Sequence, residues 1–171
     1  NLTQTATYTV TPTSGGPGSC PGLPFLVTVL VNPLPSVPNQ TLSICSGITF
    51  DATPANNPPG SIVPAGTTYS WSAPIVTGGM TGGAGGTNMT SITGALVNPT
   101  NAPQTATYTV TPKSGSSGNC FGPDFTVVVT VNPGPVIPAQ PQTVCSGTAF
   151  NVTPLNNPPT SIVPAGTTYS W

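Results

Sequence analysis

The stretch QTATYTVTP occupies residues 4–12 and recurs unchanged at residues 104–112. In the second copy, Ala106, Tyr108 and Val110 alternate with threonines, and this period of two places the apolar side chains on one face of a β-strand. A repeat of 100 residues is too long for a solenoid unit and matches the size of an immunoglobulin-like sandwich. The sequence therefore predicts an all-β protein made of tandem, Ig-like antiparallel β-sandwich domains of about 100 residues.

The same period runs through the whole chain without a gap. Of the 71 pairs of positions that lie 100 residues apart, 45 are identical, and SIVPAGTTYSW at residues 61–71 matches completely. The pairs include both cysteines and the tryptophan of each copy: Cys20 and Cys120, Cys45 and Cys145, Trp71 and Trp171. Each copy is therefore expected to form the same strands.

Two proline-rich segments mark the expected boundaries, VNPLPSVP at residues 31–38 and VNPGPVIP at residues 131–138. Proline cannot donate a hydrogen bond to a central ladder, and proline-rich linkers are semi-rigid. We expect three parts: residues 1–33 are the C-terminal strands (F and G) of a preceding repeat, 34–133 a complete sandwich, and 134–171 the N-terminal strands (A to C) of the following repeat. On this interpretation the chain is a part of a longer array of repeats.

Within the complete unit, alternation and turn residues predict about seven strands, six of which can be given bounds, and one glycine-rich loop. The loop is GGMTGGAGG at residues 78–86. The predicted strands are 40–44, 48–53, 67–72, 90–97, 105–111 and 125–131.

The inward faces are indicated by positions that do not change between the copies. Val27 and Val127 are the same residue, whereas their neighbours Leu26 and Thr126 differ, because packing restricts inward side chains more than outward ones. The predicted core is Phe50, Tyr69, Trp71, Ile92, Leu96, Tyr108, Val110, Phe125, Val127 and Val129.

Charged side chains are nearly absent, with only Asp51, Asp124 and Lys113 and no His, Arg or Glu. Globular proteins average about 25% charged residues. Acid–base catalysis, zinc or calcium binding and phosphate recognition all need clustered groups that this composition cannot supply. We predict no catalytic, cofactor-binding or metal-binding residues, no nucleic-acid partner and no enzyme activity. The longest apolar stretch, FLVTVLV at residues 25–31, has the length of a strand, so no membrane span is predicted.

Four segments carry a family resemblance: ICSGITFDATP at 44–54, TTYSW at 67–71, TATYTVTP at 105–112 and FTVVVTVNP at 125–133. This pattern resembles the PKD-like and Ig-like repeats of large Bacteroidota cell-surface proteins, such as gliding adhesins exported by the type 9 secretion system. The WDFGDG-type signature of the founding PKD domains is missing. The resemblance implies extracellular extension, adhesion and display, and it carries over no catalytic residue.

The favoured function is that of a structural extracellular protein that forms the stalk or filament of a bacterial surface adhesin. One alternative is a carbohydrate- or surface-binding module that contacts its ligand through the glycine-rich loop at residues 78–86. Another alternative is an accessory domain of a secreted hydrolase.

The four cysteines are disulfide candidates, and four cysteines allow three pairings. In an Ig-like strand order, Cys45 and Cys120 lie at opposite ends of the unit, farther apart than the 7 Å or so that a disulfide spans. We therefore favour bridges between neighbouring repeats, in which Cys45 pairs with the last cysteine of the following repeat. A Cys45–Cys120 bridge within one domain is the alternative if the strand order differs. Cys20 and Cys145 are the counterparts of these two residues.

The expected partners are neighbouring repeats of the same chain and, in the alternative function, surface glycans. Natural sheets usually protect their edges with charged residues, and this chain has almost none to use. We therefore hypothesise that chains associate side by side into a fibre.

Overall fold

A computed structural model describes residues 2–115 and 119–171, and all regular secondary structure in these residues is β. The described residues hold eleven strands in chain order: β1 (Gln4–Val10), β2 (Phe25–Val31), β3 (Gln40–Cys45), β4 (Thr49–Ala52), β5 (Thr68–Trp71), β6 (Ile75–Val76), β7 (Thr81–Gly82), β8 (Gly86–Met89), β9 (Ile92–Val97), β10 (Gln104–Lys113) and β11 (Phe125–Asn132).

Strands β3 to β11 form two sheets that share one apolar core, which is the all-β sandwich predicted from the sequence. The larger sheet has the order β3-β11-β10-β5-β8, with β6 also pairing with β10, and the smaller sheet has the order β4-β9-β7. Neighbouring strands are antiparallel except β3 and β11, which run parallel with Cys45 opposite Asn132. The turn after Cys45 leads the chain from the larger sheet into the smaller one, where β4 pairs with β9.

The core is formed by alternate residues of both sheets. The ring centroids of Phe50 and Tyr108, from opposite sheets, lie 5.5 Å apart, and the rings of Tyr69 and Phe125 meet edge to face at 6.1 Å. The buried core residues are Val37, Phe50, Ala52, Tyr69, Trp71, Met80, Ile92, Leu96, Ala106, Tyr108, Val110, Phe125, Val127, Val129 and Val131. All ten side chains selected from the sequence lie within this cluster.

The sequence predicted that the glycine-rich segment at residues 78–86 is a loop, and this prediction is wrong in part. The segment contains β7 and the first residue of β8, and Met80 within it is buried. Gly82 has a φ of 88° and lies so close to the Ala95 carbonyl that a Cβ atom would clash with it. Glycine is therefore needed here because the segment passes close to β9. Composition alone does not distinguish a glycine needed for close packing from one in a flexible loop.

The N-terminal hairpin repeats the pairing of the last two strands of the sandwich. Gln4 lies opposite Val31 as Gln104 lies opposite Val131, and the register is the same along both pairs. The hairpin forms because its pairing is local, but its apolar side chains are exposed. Tyr8, for example, is 58% exposed and its counterpart Tyr108 is fully buried.

Residues 134–171 keep the turns of the first copy without its strands. Val136 bridges Ile162 as Ser36 bridges Ile62, but no strand is formed in residues 134–171. In the central sandwich, β3, β4 and β5 pair with β11, β9 and β10, which come much later in the chain. The second copy of these segments is paired with none of the described strands, and only its local turns form.

Candidate functional site

The three charged side chains are dispersed and each has a local contact. The Thr53 hydroxyl donates to Asp51 at 2.9 Å, and the Thr111 hydroxyl donates to Asp124 at 2.6 Å. The Lys113 ammonium lies 5.4 Å from the centre of the Phe121 ring. Residues 2–115 and 119–171 contain no group of three or more His, Cys, Asp or Glu residues that could hold a metal ion. Over the same residues, no helix has the length and apolar character needed to cross a membrane.

The aromatic residues at the centre of the sandwich have the surroundings of core residues. Burial raises the pKa of the Tyr69 and Tyr108 hydroxyls above the ordinary tyrosine value. The Trp71 indole nitrogen donates to the Ala84 carbonyl at 3.1 Å, so its one polar atom is used internally. The Tyr108 hydroxyl is buried and has no hydrogen-bond partner among the described residues. These rings offer no open platform on which a sugar could stack.

The glycine-rich segment, which the carbohydrate-binding alternative invoked, packs onto the sandwich. A Cβ atom at Gly86 would clash with the Trp71 ring, and one at Gly83 would meet the Tyr108 hydroxyl and Leu96. Met80 is the single large apolar residue of this segment and was the sequence signal for its packing on the core. The predicted core did not include Met80.

The N-terminal end of the sandwich is defined by contacts between the first residues of the unit and the start of β11. The Thr126 amide donates to the Asn39 side-chain oxygen at 2.9 Å, and Gly122 lies against the backbone of Pro35. Cys120 belongs to this end, since the Ser114 amide donates to its carbonyl at 2.9 Å at the close of β10.

The C-terminal end is held by Asn98, a buried polar residue that sequence reasoning missed. Its amide nitrogen donates to the carbonyls of Val131 and Ala102 at 2.9 and 2.8 Å, and its oxygen accepts from the Thr100 amide and hydroxyl. The Asn98 backbone amide donates to the Ser46 hydroxyl at 2.9 Å, so this residue joins its own loop to the turn after β3 and to the end of β11. An Asn-Pro-Thr sequence looks like an ordinary turn, and nothing in it signals burial.

The cysteines of the unit lie at these two ends. Cys45 is opposite Asn132 at the C-terminal end, whereas Cys120 precedes the first residue of β11. Strand β11 has eight residues, and about 3.3 Å per residue separates the ends by about 26 Å, compared with the 7 Å or so within a disulfide. Among the described residues, all four cysteines are free thiols.

In the part of the chain that the structure describes, two open apolar surfaces lie outside the central sandwich. One is the face of the β1–β2 hairpin that matches the buried face of β10 and β11, and it is exposed along its length. The other is a groove of about 550 Å³ within the C-terminal segment. It is lined by Phe150, Asn151, Val152, Pro154, Tyr169 and Trp171.

Comparison with known proteins identifies the sandwich. A sequence profile described as a PKD-like domain matches residues 42–135, which cover all but the first two residues of the strands that form the two sheets. A search of curated proteins finds no match. Domains of this type are typically non-catalytic, extracellular Ig-like modules. Because the match covers more than half of the chain, the protein belongs to the PKD-like domain family.

Proposed function

We propose that this protein is a structural extracellular repeat protein that forms the stalk or filament of a bacterial surface adhesin. The observation that carries the proposal is that the chain enters and leaves the sandwich at opposite ends. Residues 35–39 lie beside the start of β11, and Asn132 lies at its other end. Each repeat therefore adds at least the length of β11, about 26 Å, to the reach of an array.

The junctions between repeats are short because the proline-rich segment docks on its own unit. Pro35 and Val37 are buried, and the Ser36 and Ile62 backbones exchange two hydrogen bonds of 2.9 and 2.8 Å. The same exchange joins Val136 and Ile162 in the next copy. Few residues are left free to bend, which favours a stiff array with unit boundaries near residues 33 and 133.

The positions of the cysteines support bridges between repeats. In an end-to-end array, Cys45 at the C-terminal end of one unit faces the counterpart of Cys120 at the N-terminal end of the next. A disulfide bridge at each junction would restrict bending between neighbouring repeats, and it would lie outside the core of either unit. In a two-repeat protein, peptide mapping without reductant is expected to recover this junction bridge, and Cys45→Ser is expected to abolish it. Free thiols at both positions after oxidation would contradict the bridge.

The edge strands support side-by-side association of arrays. Strands β3, β7 and β8 carry no charged residue, and β4 carries only Asp51. Uncharged edges are open to pairing with other chains. A two- or three-repeat protein that begins and ends with complete units and stays monomeric at high concentration would count against this association.

The stalk itself is tested with tandem proteins of two, four and six copies of residues 34–133. Electron microscopy is expected to show rods whose length increases in proportion to the number of copies. Compact particles, or flexible chains of separate beads, would refute the proposed function. The resemblance to repeats of Bacteroidota surface proteins supports the adhesin context and export by the type 9 secretion system. Immunogold labelling of cells that carry the gene tests the surface location.

A further inference from the structure

The first and last strands of the central sandwich lie side by side and run parallel. Strand β3 begins at Gln40, opposite Val127, and ends at Cys45, opposite Asn132, so six consecutive residue pairs form one ladder. Strand β11 also pairs with β10 on its other side, whereas β3 is the edge of the sheet. The attachment of β3 to the larger sheet therefore depends on β11.

The parallel direction of these strands decides how tension would act on the unit. The chain enters the sandwich at the start of β3 and leaves it at the end of β11, and these points lie at opposite ends of the ladder. Tension along an array would pull β3 toward one end and β11 toward the other, along the direction of both strands. Because the ladder hydrogen bonds are evenly spaced between the strands, this shear loads all of them together rather than one after another.

The backbone amides of β3 point alternately toward β11 and toward the free edge. The Ser46 amide, just after the strand, donates to the Asn132 carbonyl at 2.9 Å. Counting back by twos in the same register, the other amides that point toward β11 are those of Ile44, Leu42 and Gln40. The Thr41 amide faces the free edge. The next copy has Pro141 at this position, and proline is tolerated in an edge strand where the amide would point outward.

Side-chain contacts extend the ladder at both ends. At its start, the Thr126 amide donates to the Asn39 side-chain oxygen at 2.9 Å. At its end, the Asn132 side-chain nitrogen donates to the Ser43 hydroxyl at 2.9 Å. Between them, the half-buried Leu42 packs against the core. Sliding β3 along β11 must break these contacts together with the ladder.

We propose that the β3–β11 ladder is the force-bearing element of the unit, which keeps the sandwich closed under tension until its hydrogen bonds break together. This inference rests on the proposed stalk function, since a stalk is a chain under tension at both ends. The remaining strands lie outside the load path, because the chain enters at β3 and leaves at β11. Rupture of the ladder therefore precedes loss of the core.

The test stretches the 171-residue chain between handles at its two termini, at a constant pulling rate and with reductant. The event of the central unit is identified by an extension of about 300 Å, since roughly 90 residues at about 3.6 Å each are released. Leu42→Pro removes an amide that points toward β11 and is expected to lower the rupture force of this event. Thr41→Pro removes the neighbouring amide at the free edge and is expected to keep the wild-type force.

A second pair of variants separates the ladder from general stability. Leu42 and Val76 are both half-buried and pack against the core, but Val76 lies on β6, which pairs with β10 outside the load path. Leu42→Ala and Val76→Ala are both expected to lower the urea midpoint. Only Leu42→Ala is expected to lower the rupture force, because the contacts of Val76 are still intact when the ladder breaks. This pair also tests the proposal if Leu42→Pro does not fold.

Three results would each overturn the proposal. These are a wild-type rupture force in Leu42→Pro, equal losses of force in Leu42→Pro and Thr41→Pro, and equal losses of force in the two alanine variants. None of them would affect the rods expected of complete tandem units. Compact tandem particles would refute the stalk and leave the rupture forces of the single chain unchanged, so the two failures are distinguishable.

Discussion

Replacing Phe125 with alanine measures how far the unit depends on its own core, because the chain contains a matched control in Phe25. Phe125 is 3% exposed on β11, which is flanked by β3 and β10, and its ring packs edge to face on Tyr69. Strands on both sides limit how far the site can collapse. Removal of a buried Phe side chain costs about 3–5 kcal/mol. A domain of this size is stable by only about 5–15 kcal/mol, so the loss is a large fraction of the total.

The assay is urea unfolding followed by tryptophan fluorescence, whose change comes from the buried Trp71 because Trp171 is already exposed in the folded chain. Phe125→Ala is expected to lower the free energy of unfolding by about 3–5 kcal/mol and the melting temperature by at least about 12 °C. Phe25→Ala removes the same side chain from an exposed hairpin and is expected to change the free energy of unfolding by no more than about 0.5 kcal/mol and the melting temperature by no more than about 4 °C. Equal effects of the two substitutions would refute the separate core of the central unit.

Three further predictions concern polar groups in the sandwich. Tyr108→Phe removes a buried hydroxyl that has no partner among the described residues and is expected to raise the free energy of unfolding by about 1 kcal/mol. Tyr8→Phe is the exposed control and is expected to leave the free energy of unfolding unchanged. A lower free energy of unfolding in Tyr108→Phe would contradict this account. Asn98→Ala removes four side-chain hydrogen bonds at the C-terminal end and is expected to lower the free energy of unfolding by about 2–4 kcal/mol. It is also expected to speed amide exchange near Ser46, which the Asn98 backbone contacts. An unchanged urea midpoint would count against the role of Asn98. Burial raises the pKa of the Tyr69 and Tyr108 hydroxyls in the folded state. The stability that these groups contribute is therefore present below about pH 10 and is lost as pH rises through their folded pKa values. Urea midpoints measured at pH 8 and pH 11 check this expectation, and equal midpoints would refute it.

The sequence predicted most of the fold because its main signal is periodic. The alternation in β10 and β11, and the agreement between copies 100 residues apart, identified inward positions such as Val127 and Val129 without any structure. Predicted strand bounds, such as 125–131 for β11, differ from the observed Phe125–Asn132 by a residue or two, since strand ends depend on hydrogen bonds that a pattern does not contain.

The features that were missed depend on contacts between residues far apart in the chain. Gly82 resembles a loop residue until β9 is placed beside it, and Asn98 resembles a turn residue until the carbonyl of Val131 is within reach. The C-terminal copy shows the same dependence on residues far apart in the chain. Residues 150–152 follow the pattern of β4 but form no strand, which shows that β4 depends on its pairing with β9, much later in the chain.

The central claim is that each unit of about 100 residues folds around its own core and bears load end to end. Single-molecule stretching of a tandem protein of residues 34–133 tests this claim directly. Roughly 90 residues lie between Gln40 and Asn132, and at about 3.6 Å each their unfolding releases about 300 Å after the folded length is subtracted. We predict equal rupture events of about 300 Å, one for each copy. Events that span several copies, or smooth extension without ruptures, would contradict the account.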